Sequence, residues 1–159
     1  MLEGKYNAKE AEKKWQKFWE DLGIYKFDIN TPKEKIYSID NPPPTVSGKI
    51  HIGHVFSYSQ IEMMARYMRM KGYNVFYPFG FDDNGLPTER LVEKQIGKKA
   101  NQISREDFNK LCLETTEKYE KSFKELFKSL GFSADWDLMY STISPKAQKT
   151  AQKSFIDLY

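Results

Sequence analysis

His51 and His54 are the chain's only two histidines, and they stand three residues apart in the run Lys49-Ile50-His51-Ile52-Gly53-His54. Such a pair suits a metal half-site, a packed helix start, or a set of donors for an anion. A stable metal site needs three or four ligands; no other histidine exists and the sole cysteine, Cys112, is remote. No protein-built metal site is therefore expected. Gly53 lets a ligand approach the backbone, and a helix beginning here would add unpaired N–H groups and the positive end of its dipole. Imidazoles so placed can hydrogen-bond phosphate oxygens and stabilise the charge that builds on an α-phosphate as pyrophosphate leaves.

The flanks carry two further candidates. Before the pair runs Asn41-Pro42-Pro43-Pro44-Thr45-Val46-Ser47-Gly48, too rich in proline for a helix and stiff enough to wall a pocket, though a plain extended linker has the same composition. After it, Asp82 and Asp83 lie in Gly80-Phe81-Asp82-Asp83-Asn84-Gly85-Leu86-Pro87-Thr88-Glu89. Two carboxylates facing the same crevice would suit a metal, a ribose or an α-ammonium group; an Asp-rich turn would look the same.

These residues need elements to hold them. Lys35 to Asp40 alternates as a short strand, Ile50 to Lys71 has helical periodicity with Val55, Tyr58, Ile61, Met64, Ala65 and Met68 on one side, and Asn74 to Phe79 reads as a second strand. Strand, helix and strand over about 45 residues has the length of a βαβ crossover, which makes the strands parallel. Both candidate segments then fall at carboxyl ends of strands, where open α/β sheets bind nucleotides. Further helices are predicted from Asn7 to Leu22 with Gly23 as the stop, from Pro87 to Gln95, from Arg105 to Leu130 with Ser104 as cap, and from Pro145 onward.

The whole chain is consistent with this. Its 159 residues, 40% hydrophobic and 15% aromatic, can fold as one domain but are few for a complete multi-substrate enzyme. A mean hydropathy of −0.70 and the lack of an apolar run near 20 residues argue against a membrane span. Met1 to Tyr6 lacks the layout of a secretory signal, so a cytoplasmic location is expected. Net charge is +3, which permits contact with nucleic acid without demanding it. Cys112 is read as a helical packing residue.

His51-Ile52-Gly53-His54 resembles the HIGH signature of the class I aminoacyl-tRNA synthetases in its literal form. The Pro42 to Gly48 turn and the Gly80 to Glu89 segment are similar to those of the valine-activating branch, and Asp82 to Arg90 looks like its archaeal-type members. The resemblance extends from the helix around Trp15 and Trp19 through Asp135-Trp136-Asp137 to Ser144-Pro145. It implies an α/β fold, the first half of a Rossmann-type parallel sheet with flanking helices. Residues 1–34 would be an N-terminal helical extension and 35–159 the first half of the catalytic domain, cut before an editing insertion and before the KMSKS loop.

The implied activity is ATP-dependent attachment of valine to tRNA through valyl-adenylate, weak or absent in this piece alone. By that resemblance His51 and His54 are catalytic; His51, Gly53, His54, Ser47 and Gly48 hold ATP; and Pro43, Thr45 and Asp82 hold valine. Thr45 stands where many bacterial relatives have asparagine. The implied partners are valine, ATP with Mg2+, and tRNA(Val), with a monomeric state and no membrane. Two alternatives stay open: an isoleucine-specific or other enzyme of the same subclass, and a nucleotide- or RNA-binding fragment without the reaction.

Overall fold

The computed structural model describes residues 6–48 and 50–159. Met1 to Lys5, read above for a leader sequence, and Lys49 in the histidine run lie outside the described residues. In chain order the elements are α1 (Ala8–Leu22), β1 (Ile36–Ser38), α2 (Ile52–Met70), β2 (Asn74–Phe76), β3 (Pro78–Phe81), α3 (Leu86–Ile96), α4 (Arg105–Ser129), β4 (Asp135–Ser141) and α5 (Pro145–Leu158), with short 3-10 turns at Lys33–Lys35 and Ala100–Gln102.

The predicted βαβ unit is present: β1 pairs in parallel with β2, Tyr37 opposite Val75, with α2 as the crossover. The predicted second strand differs in detail. It is divided at Tyr77, and the two parts serve different neighbours. β2 pairs with β1, whereas β3 pairs in parallel with β4, Gly80 opposite Tyr140. Pro78 has no N–H to give a ladder, so the pairing changes sides where the donor is missing. The Ile39 N–H donates to the Phe76 carbonyl at 2.9 Å and the Asp135 N–H to the Tyr77 carbonyl at 2.9 Å, so neighbours flank the chain on both sides through the break.

β4 has no counterpart among the predicted elements. Asp135 and Asp137 at its start have low strand propensity, but Asp135 is held by its place: its carboxylate accepts the Phe27 N–H at 2.9 Å and the Asp137 N–H at 3.1 Å. The crossover from β3 to β4 carries α3 and α4. Both helices match expectation closely, and the Ser104 hydroxyl caps α4 by accepting the Asp107 N–H at 3.1 Å.

The core is aromatic. Tyr77, Phe79, Phe81 and Phe127 are fully buried, with Val46 from the proline turn among them. The rings of Phe79 and Phe127 meet tilted at 4.9 Å between centroids, Phe127 and Phe132 edge to face at 4.9 Å, and Phe79 and Trp136 tilted at 5.1 Å. At about 1.5–3 kcal/mol for each buried ring, this cluster clamps β3 between α4 and β4. α2 departs from its predicted face: Tyr58 and Ala65 are buried, but Met64 is half exposed and Glu62 is buried. Glu62 meets Arg66 Nε at 2.7 Å and accepts the Ser133 N–H at 3.0 Å, while Arg69 donates to the Ser133 carbonyl at 2.7 Å. A charged side chain replaces an apolar one because it ties α2 to the segment entering β4.

α1 lies on the end of α4, where Gln16 donates to the Ser129 carbonyl at 2.8 Å and Lys128 pairs with Glu20 at 2.7 Å. A cavity of about 150 Å³ lies there between Trp19, Tyr25, Phe132 and Trp136. None of the predicted site residues lines it. Among the described residues no helix is long and apolar enough to cross a membrane.

Candidate functional site

Both histidines sit where a strand hands over to a helix, and their geometry is reciprocal. His51 is extended (φ −118°, ψ 167°) and is the N-cap of α2; its Nδ1 accepts the Gly53 N–H at 3.1 Å. His54 Nδ1 accepts the His51 N–H at 3.4 Å, and the two rings lie 4.0 Å apart at 34°. A neutral ring whose Nδ1 accepts must carry its proton on Nε2. Each histidine thus keeps an Nε2–H donor without a partner among the described residues, at the positive end of a 19-residue helix. Burial first, and then the neighbouring His51, lowers the pKa of His54, which favours the neutral donor form.

Gly53 has a local reason as well. A Cβ there would stand 3.0 Å from Cε1 and Nδ1 of His51, so the space it leaves is taken by the capping imidazole. Gly48, with φ +152°, lies in a range that disfavours side chains and has nothing within 4 Å of a Cβ position. Ser47 beside it is partly buried.

The proline turn meets the aspartate segment directly. Thr45 and Asp82 form an isolated parallel bridge. The Asp82 N–H donates to the Pro44 carbonyl and the Val46 N–H to the Asp82 carbonyl, each at 2.9 Å. The Thr45 hydroxyl donates to Asp82 Oδ2 at 3.3 Å, so two of the three residues read as a valine site are hydrogen-bonded partners. Pro43, the third, is partly buried in the same turn. Tyr58 of α2 donates its hydroxyl to the Pro42 carbonyl, fixing the turn against the helix that carries the histidines. Burial, and after it the Tyr140 hydroxyl, pushes the Tyr58 pKa up to about 12.

The paired aspartates do not both serve the crevice. Asp82 Oδ1 accepts the Asn84 N–H at 3.2 Å and the Thr142 hydroxyl at 3.4 Å, leaving a partly buried carboxylate at the end of β3. Asp83 turns inward and is only 5% exposed. It accepts the Ser141 hydroxyl on Oδ2, and its N–H donates to the Thr142 hydroxyl at 3.1 Å. Successive residues at a strand end point to opposite faces, so a contiguous pair cannot line one wall.

Tyr140 escaped the sequence reading. Its ring lies over Gly80 so closely that a Cβ on Gly80 would be 2.1 Å from Tyr140 Cζ. From there its hydroxyl is felt by Tyr58 and feels the charge of Asp40. Burial and the Asp40 charge both raise its pKa. The available signal was the two-residue alternation of Trp136, Leu138 and Tyr140, visible once a strand is assumed.

A histidine pair at a helix N-terminus offers donors suited to an anion, and the carboxylate that the rigid turn holds at the next strand end offers acceptors suited to a cation. Residues 14–159 match the family described as tRNA synthetases class I (I, L, M and V), and the chain belongs to that family.

Among individual proteins it is similar to the valine–tRNA ligase of Rickettsia prowazekii (strain Madrid E), 55% identical over 153 residues that make up 96% of this chain and 19% of that protein. The valine–tRNA ligase of Rickettsia felis is 54% identical over 96% of this chain and 18% of its own length. A LeuRS of Agrobacterium radiobacter, solved as a ternary complex with tRNA and LeuAMS, superposes with a TM-score of 0.81 at 30% identity, over 98% of this chain and 18% of that one. The chain thus spans about a fifth of the length of the relatives it matches.

Proposed function

We propose that this chain is the first catalytic portion, residues 35–159 with a helical extension at 1–34, of a valine–tRNA ligase of the archaeal-type branch. The observation that carries the reading is the Thr45–Asp82 bridge, which holds a carboxylate beside the turn leading to the histidine cap. The 55% identity to valine–tRNA ligases supports valine over isoleucine.

Valine enters with its ammonium group on Asp82 and its side chain against Pro43 and Thr45. ATP lies with its phosphates toward Ser47, Gly48, Gly53 and the Nε2–H donors of His51 and His54. The amino acid carboxylate attacks the α-phosphorus, the new O–P bond forms as the bond to the bridging oxygen breaks, and pyrophosphate leaves. No side chain has to take a proton. The residues act by positioning two substrates and by meeting the charge that builds on the phosphates. Mg2+ comes with ATP as its counter-ion; among the described residues no group of three His, Cys, Asp or Glu could hold a metal. Valine then passes to the end of tRNA(Val), in a monomeric cytoplasmic enzyme.

The test is ATP–pyrophosphate exchange by the full-length protein with valine or isoleucine as the added amino acid. Exchange that depends on valine supports the reading, exchange that prefers isoleucine moves the chain to that branch, and no exchange with either amino acid leaves only a nucleotide-binding role. One methylene separates the two substrates by about 1–3 kcal/mol, so the preference should be about 10–200-fold. Calorimetry on the 159-residue chain should show weak binding of valine or ATP and no full-strength adenylate formation.

A further inference from the structure

Asp83 is the most enclosed carboxylate beside the site, and its hydrogen bonding is incomplete. Ser141 serves Oδ2 and Thr142 serves the backbone N–H, but Oδ1 is buried without a partner among the described residues. Glu120 of α4, itself partly buried, brings its carboxyl into hydrogen-bonding reach of the Asp83 carboxyl. Two ionised carboxylates in such a contact repel; one proton between them turns repulsion into a hydrogen bond.

We infer that Glu120 is a positioning residue whose protonated carboxyl donates to Asp83 Oδ1 and holds the turn after β3 against α4. That turn carries Asp82, one residue away and bonded to Thr45 and Thr142, so the proton sets where the candidate ammonium ligand stands. The functional half of this inference rests on the reading of Asp82 as the ammonium ligand.

The surroundings favour the proton. Burial is the main influence on Glu120, followed by Asp83 and then Glu117 one turn back on α4, and together they push its pKa up to about 7. No basic group offsets them among these influences. Lys124, one turn further on, lies over the Trp136 ring at 5.8 Å. β4 presents the uncharged Ser141 and Thr142, Asp82 is engaged by Thr45, and His54 from α2 has a lowered pKa.

Two measurements test this. In the full chain, carbon-detected NMR of side-chain carboxyls should place the Glu120 midpoint near 7, and Asp83→Asn, whose amide can donate to an ionised Glu120, should move it down toward the ordinary glutamate range. A midpoint already in that range in the unmodified chain would overturn the shared proton. In the full-length protein, the KM for valine in pyrophosphate exchange should rise about tenfold between pH 6 and 8.5, the scale of one hydrogen bond to a charged group.

Glu120→Gln, which donates at every pH, should keep the low-pH KM throughout, while Glu120→Ala should show the high KM throughout. A pH rise in Glu120→Gln parallel to that of the unmodified enzyme would overturn the positioning role. If valine supports no exchange at all, the functional reading fails, and the NMR arm still decides whether the proton is shared.

Discussion

Gly80→Ala is the sharpest test of how β4 packs on β3. The φ of Gly80 is not positive, so alanine is allowed by the backbone and its cost must come from what the new methyl meets. A Cβ would stand 2.1 Å from Cζ and 2.5 and 2.6 Å from the two Cε atoms of Tyr140. An ordinary contact is about 3.5–4.0 Å, so the ring has to withdraw by roughly 1.5 Å. Tyr140 is 42% exposed and can swing toward solvent, which limits the cost to the overpacking range of about 1–3 kcal/mol. Urea unfolding should show that loss with an unchanged m value, and thermal melting should show a fall of about 2–10 °C.

The cycle with Tyr140→Ala isolates the cause. Without the ring those three contacts vanish, and the entropy that alanine removes from the unfolded chain should make Gly80→Ala neutral or stabilising by up to about 1 kcal/mol. If Gly80→Ala costs as much in the Tyr140→Ala background as in the parent, the ring is not what requires glycine at this position, and the account of this packing fails.

Three further outcomes follow from the same geometry. His54→Ala in the full-length protein should slow adenylate formation by roughly 10²–10³, the scale of one lost charge-stabilising donor, with valine affinity little changed; a loss of stability alone would remove its assigned role. Tyr58→Phe strips the donor from the Pro42 carbonyl and should cost about 1–2 kcal/mol in urea unfolding, with a matching rise in the KM for valine if the turn shapes that pocket. Glu120 makes stability depend on pH: its folded pKa, pushed up to about 7, lies above the unfolded value, so between pH 4.5 and 7 the folded chain binds more protons. Its contribution is therefore full below about 4.5, falls as pH rises through 7 and is flat above, with an amplitude of about 1–2 kcal/mol after allowing for its partial exposure; Glu120→Gln should abolish that slope in urea titrations at fixed pH.

The helices and the histidine cap were legible in the sequence because their signals are local. α2 announces itself through periodicity, Ser104 through its hydroxyl, and His51, Gly53 and His54 through a spacing in which each side chain serves the next backbone group. What the sequence hid depends on strands that meet only in the fold. The break at Tyr77 arises because β1 stops on one side of the central chain where β4 begins on the other. β4 was hidden because Asp135 and Asp137 are poor strand formers; Asp135 is stabilised by the Phe27 N–H, 108 residues earlier. Asp83 was misread beside Asp82 because adjacency in sequence says nothing about the face on which a strand-end residue falls.

Placing the two aspartates on opposite faces gives them different physical tasks. Asp82 faces hydrogen-bond donors alone: its carboxylate accepts the hydroxyls of Thr45 and Thr142 and the Asn84 N–H. Asp83, itself buried, faces the partly buried Glu120 where two charges would repel, so that pair gains by keeping one proton. A single turn thus sets a solvated charge beside a proton-bridged anchor. Each depends on its own neighbours: Thr45→Val should act on Asp82 and leave the Glu120 titration unmoved, while Ser141→Ala should act on Asp83 and shift it. If Thr45→Val moved the Glu120 midpoint as far as Ser141→Ala does, the two carboxylates would be a single coupled cluster and the division of labour would be wrong.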